Sequence, residues 1–278
     1  MGHMNVRVYV EKQLEGMMAF AHHLEMPHAF QANSPSTIIP VDQHIRFVRE
    51  VLPGKPLTMN GCVLETGETD ALIYQELRHS DGGLAAAMQT RIAHVDTTAR
   101  EPFGWSSRTR AVFPKFEGKV PEGAAPRSID ADAVTTPYSQ ITQDRIDKIK
   151  APLIGAGAVP AAHLDVHGRM APFWVIGRTS DSVPNLLYNW RRRVADAAGD
   201  RRMGAAVLEY RIRYHDWPEA GDLYTLYTSF GGANGKTHSL VHWMMNPDTG
   251  TPWATMQATG TDPQGTSPRG RTQRDRSR

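Results

Sequence analysis

Asp165-Val166-His167-Gly168-Arg169-Met170 is the stretch on which the reading of this chain turns, because its Gly-x-Met core occurs a second time at Gly2-His3-Met4. The two glycines lie 166 positions apart (2 to 168). Further on, the turn at Pro53-Gly54 is matched at Gly221-Asp222, 167 positions later (54 to 221). Met88-Gln89 is matched at Met256-Gln257, 168 positions later (88 to 256). Three anchors in one order at a nearly constant offset indicate an internal repeat.

Each half carries the same succession of elements. In the first, Val10, Leu14, Met17, Ala21 and Leu24 recur at helical spacing and mark one buried face. Pro27 and Asn33-Ser34-Pro35 then turn the chain. Four strands are expected over 43–51, 57–66, 70–79 and 84–96, with Ile45 and Phe47 alternating with Arg46 as in a half-buried antiparallel sheet. Ser80-Asp81-Gly82-Gly83 reads as a hairpin turn. In the second half a helix is expected over 182–197, with Pro184 in its first turn behind Asp181 or Ser182 as cap. Strands follow over 207–215, 222–230, 236–246 and 252–260, and 152–165 supplies an opening strand. A long helix on an antiparallel sheet, twice over, is an α+β architecture. The Pro/Gly/Ala-rich segment 97–138 links the halves and a short helix follows over 139–150. This places domains at 1–130 and 131–262, with a disordered basic tail over 263–278.

Composition narrows the function classes. Net charge is only +2, so no basic excess calls for nucleic acid. The single cysteine, Cys62, excludes an internal disulfide and a thiolate zinc site, and its strand-like setting reads as core packing. No apolar run is long enough for a membrane span and no leader opens the chain, which points to a cytoplasmic protein with no membrane partner. No cofactor or metal motif is found: His22, His23 and His28 lack ligand spacing, and Gly155-Ala156-Gly157 is followed by Pro160 rather than a helix.

Gly2-His3-Met4-Asn5, followed by Tyr9 and an amphipathic helix, resembles the opening of hotdog acyl-CoA thioesterases of the 4-hydroxybenzoyl-CoA thioesterase type. That family reads strand, Asp-x-x-Gly-His-Met/Val-Asn, long central helix. Asp165, Gly168 and Met170 keep the pattern in the second half, while Arg169 stands where His is usual and Ala171 where Asn is usual. The resemblance covers all but the linker and tail. It implies two tandem hotdog domains, the first without its opening strand, since the place of its acid precedes residue 1. It also implies hydrolysis of an acyl-CoA or acyl-carrier-protein thioester, by a monomer or a homodimer.

The chemistry suits such a turn. Thioester hydrolysis needs a carboxylate to activate water or to attack, and donors for the developing oxyanion. Asp165 is the candidate acid, or else it only stabilises the turn. N–H groups at the helix start are the candidate donors, and Gly168 admits a ligand to the backbone. His167 and Arg169 either contact substrate or stay exposed. Gly2, His3 and Asn5 line the equivalent turn, with helix capping as the other role for Asn5. Arg191–Arg193, Arg201 and Arg202 either meet carrier phosphates or form a solvated face. Two other functions remain: a non-catalytic acyl-thioester binder, and an acyl-thioester hydratase. The second is weakened because no Asp is followed five places later by His.

Overall fold

A computed structural model describes residues 2–130, 133, 136–198, 206–234 and 237–261, the side chains at 187 and 189–198 excepted. The expected tail at 263–278 and the side chains of Arg191–Arg193, Arg201 and Arg202 lie outside the described residues.

The chain opens on α1 (Val6–His23), which buries Val10, Met17 and Ala21 as the stripe predicts. Asn5 is its cap, in extended conformation, its side chain accepting from Arg7 N at 2.9 Å. Then come β1 (Ser36–Phe47), β2 (Leu57–Thr66), β3 (Asp70–His79) and β4 (Leu84–Asp96). The linker holds α2 (Ser107–Val112) and α3 (Gln143–Lys148). The second unit is β5 (Leu153–Ala158), α4 (Pro172–Ala198), β6 (Val207–Tyr214), β7 (Leu223–Ala233), β8 (Thr237–Met245) and β9 (Pro252–Thr261).

Three expectations need correction. β1 begins at Ser36 rather than 43, because the chain pairs with β4 on both sides of an irregularity at Pro40/Asp42. The opening strand of the second unit ends at Ala158, and the chain turns through a short 3-10 helix at Ala161–His163. The largest error is α4. It starts at Pro172, so Pro184 lies in its interior and neither Asp181 nor Ser182 is its cap. Burial of Val175, Ile176 and Thr179 against the sheet holds the earlier turns in place. The cost of an interior proline, about 3 kcal/mol, is outweighed by that packing.

The strands form one nine-stranded sheet in the order β2-β3-β4-β1-β6-β9-β8-β7-β5. The two units meet where β1 runs antiparallel to β6, centred on His44 opposite Arg211. α1 and α4 lie side by side on one face. A Cβ on Gly177 of α4 would stand 2.8 Å from Arg7 Cδ of α1, so glycine is what permits this approach. The units repeat each other in register. Gln75 opposes Met88 in the first and His242 opposes Met256 in the second. They differ at one edge: β5 pairs along β7, whereas β2 is met on its outer side, among the described residues, only at Val63 by Glu117.

The other face of the central seam is strapped by the linker. Arg46 donates to the Gly123 and Ala125 carbonyls, and Arg211 donates to those of Asp130 and Ala133. Between them the buried Glu209 carboxylate accepts from the N–H groups of Arg127, Ser128 and Ile129, each at 2.9 Å, with His44 at 3.4 Å. Burial by itself would raise the Glu209 pKa. The hydrogen bonds from His44 and the Ser128 and Ile129 N–H groups outweigh it and hold the carboxyl below its usual range. Glu209→Ala should therefore cost about 3 kcal/mol in urea denaturation, because three N–H groups, that of buried Ile129 among them, lose their acceptor and His44 its partner. The variant should also be cut by protease near 127–129, where the parent chain resists.

Candidate active site

The Asp165 turn sits between the 3-10 helix at Ala161–His163 and the start of α4. Gly168 has φ +78°, a left-handed conformation that favours glycine, and nothing stands within 4 Å of where its Cβ would lie. Asp165 Oδ1 accepts from His167 N at 2.8 Å and Arg169 N at 3.1 Å. Its Oδ2 faces Arg169 Nη2 at 3.4 Å, with the Asp165 side chain 24% exposed. Asp165, His167, Gly168 and Arg169 are thus brought together, with the acid as the centre of its own turn.

The turn also faces the first unit. His167 Nε2 lies 3.2 Å from the Ala29 carbonyl, so this histidine bridges the units. Arg169 is 4% exposed, and burial lowers its pKa while Asp165 opposes the shift. Its Nε has no partner among the described residues. Of the two roles open to Arg169, exposure is therefore excluded.

The N–H groups expected to polarise a carbonyl are mostly engaged. Those of His167 and Arg169 go to Asp165 Oδ1, and Gly168 N goes to the Asp165 carbonyl. Met170 N goes to Pro218 O and Ala171 N to His163 O. Pro172 has no N–H at all.

The equivalent turn of the first unit has other partners. His3 Nδ1 lies 2.9 Å from Glu50 Oε1, and Met4 N donates to Val51 O. Gly2 is exposed with open space around it. A cleft of about 690 Å³ opens here between α1 and β2, with His3, Met4, Met59 and Leu77 among its lining residues. Cys62, expected in the core, is only partly buried on β2, and burial raises its thiol pKa.

Three polar clusters escaped the sequence reading. Trp174 of α4 is stacked on His163 at 3.6 Å, with Arg7 at 4.6 Å and Arg178 at 5.6 Å from its ring centre. Burial first, then Arg178 and Arg7, lowers the His163 pKa and favours the neutral ring. Under α1, Gln13 donates to Gln75 at 2.6 Å, Gln43 donates to Gln13 at 3.2 Å, and Tyr214 of the second unit donates to Gln43 at 3.1 Å. Under α4, Thr228 Oγ1 meets His242 Nδ1 at 2.7 Å, while His242 Nε2 is without a partner among the described residues. Parity was the signal for the last two. Gln75 shares the face of Ile73 and Leu77, and His242 that of Leu240 and Met244, so each is a polar residue at a core position.

Comparison with known proteins bears on the fold that holds this arrangement. Residues 1–116 match the sequence model of the thioesterase-like superfamily. No curated protein matches the chain in sequence. Among solved structures, the 12:0-ACP thioesterase from Umbellularia californica superposes with TM-score 0.67 at 12% identity, covering 93% of this chain and 87% of that one. An acyl-ACP thioesterase from Bacteroides thetaiotaomicron gives 0.63 at 11% identity, covering 93% and 90%. At such identity the likeness defines the fold: two tandem hotdog units, with no strand before α1 among the described residues.

Burial lowers the His242 pKa to about 4. An unfolded histidine, near 6.5, binds its proton first as pH falls, so the folded state loses stability from that value down to the folded pKa. Between pH 7.5 and 4.5 this group should remove about 2–3 kcal/mol. His242→Gln, the residue type that Gln75 provides in the first unit, should flatten the fall by that amount in urea midpoints read at both pH values.

Proposed function

We propose that this chain hydrolyses acyl thioesters, with Asp165 as general base or nucleophile. The observation that carries the reading is the Asp165 turn itself. One carboxylate oxygen is fixed by the N–H groups of His167 and Arg169, and the side chain remains partly exposed at the junction of the two units. A carboxylate held in this way has little freedom to lose when it meets a substrate carbonyl. The superfamily match of residues 1–116 and the double hotdog fold support the same chemistry.

Since the donors from His167 to Ala171 are engaged, the oxyanion is assigned to the first turn of α4 behind Pro172, at Phe173. The first N–H groups of a helix lack partners within it. Gly168, Arg169 and His167 form the substrate side of this site, and His3 lines the cleft of the other unit, where Gly2 and Asn5, its neighbours in the chain, would meet substrate at the rim. The carrier is CoA or an acyl carrier protein, and the setting is cytoplasmic. No described helix is long and apolar enough to cross a membrane. The boundary near residue 130 divides two units of common origin, which stand as a monomer or pair further as a homodimer.

The Arg169 contact favours a second reading, in which Asp165 only ties the turn and the chain binds acyl thioesters without cleaving them. Thiol release from a panel of acyl-CoA and acyl-carrier-protein thioesters separates the two. The parent protein should turn over at least one of them. Asp165→Asn keeps an oxygen for the two N–H groups but loses the charge facing buried Arg169, so its melting temperature should fall by a few degrees while the folded protein loses about 100-fold or more in kcat. Binding without thiol release from any substrate would sink the hydrolase reading. Unchanged turnover in Asp165→Asn would leave the activity and remove this residue from it.

A further inference from the structure

The linker does not lie flush on the outer face of the second unit. Ile141 and Ile146 are buried and pack on Met245 and Trp243, which anchors the α3 segment over the sheet. Beside that anchor a cavity of about 280 Å³ remains. Its apolar walls include Ile146 and Ile149 on the linker side and Val241 and Trp243 on β8.

Three guanidinium groups also line it: Arg145 of α3, and Arg211 and Arg213 of β6. No acidic side chain is among its described lining residues. Asp42 of β1 meets both strand arginines, Arg211 at 2.9 Å and Arg213 at 3.5 Å. Among the described residues Arg145 reaches only the Gln140 carbonyl, at 3.4 Å. An arginine fork that leans on one long carbonyl bond has donors to spare, and its planar geometry suits a carboxylate. Thr142 and Thr255 also line it, their hydroxyls engaged with Arg145 N and His215 Nε2.

From these observations we propose that the cavity is a binding site for a small amphiphilic carboxylate. Its carboxylate lies against Arg145 and its aromatic ring or short acyl chain lies on Trp243 and Val241. The volume falls just below the roughly 300–1,000 Å³ of drug-sized sites, so the occupant is comparable to benzoate or octanoate and smaller than a nucleotide. The site lies on the opposite face of the sheet from α4 and stands independently of any role for Asp165.

Calorimetric titration of the full chain at low ionic strength tests this. The probes are benzoate and octanoate, with benzamide and octanamide as uncharged counterparts and inorganic phosphate as a bare anion. The carboxylates should bind about tenfold or more tightly than the amides. Arg145→Gln, an exposed change, should weaken them about tenfold. Val241→Phe should abolish binding by filling the cavity, with thermal melts confirming that both variants fold. Amides binding as well as acids, Arg145→Gln binding unchanged, or no heat from either carboxylate would overturn the proposal. Phosphate binding as tightly as benzoate would overturn the apolar half of it.

Discussion

The antiparallel pairing of β1 with β6 is the constraint on which the rest of the molecule depends. Each strand is the edge of its own unit, and an edge presents a row of unpaired N–H and C=O groups. Joining the two satisfies both and fuses the units into one sheet. Because the pairing is centred on His44 and Arg211, it relates the units by an approximate two-fold axis. The side-by-side helices, the Gly177 contact with Arg7 and the reach of the Asp165 turn to Ala29 accompany this arrangement. On the opposite face the same seam is where the linker is tied, through Arg46, Glu209 and Arg211.

Approximate symmetry makes the departures from it informative. The first unit places Gln43, Gln75 and Thr90 beneath Gln13 of its helix, and this group is bonded together and to Tyr214 across the seam. The second places Thr228 and His242 at the corresponding depth. Polar groups at such depth require partners, and in the first unit the partners come from α1, β1, β3, β4 and β6. That network therefore ties elements of both units. The second pair remains within its own unit, and one imidazole nitrogen has no partner among the described residues.

Much of the fold was legible because it rests on local periodicity. β2, β3 and β4 begin and end where alternation and turn residues place them, and α1 follows its apolar stripe to within a turn. α4 was misjudged for a physical reason. Gly177, Thr179, Ser180, Asp181 and Ser182 are poor helix formers and Pro184 is worse, so local preference argues against helix until Val175 and Ile176 are seen buried on a sheet. The Asp165 turn was legible as a motif, since spacing and a left-handed glycine are local properties. Occupation of its donors was not, because Met170 is held by Pro218, a residue distant in sequence. Likewise, nothing near Arg7 in sequence announces that it lies over Trp174.

Glu209 carries a consequence for how the chain comes to exist. It is the acceptor for N–H groups about eighty residues earlier, at Arg127, Ser128 and Ile129. A chain that emerges from the ribosome N-terminus first exposes β1 and the linker long before β6 is made. Throughout that interval the linker's donors turn to water and the edge of β1 stands open, so any passing strand of suitable register competes for it. The β1 edge is thus completed only once β6 has been made, and until then it is open to mispairing.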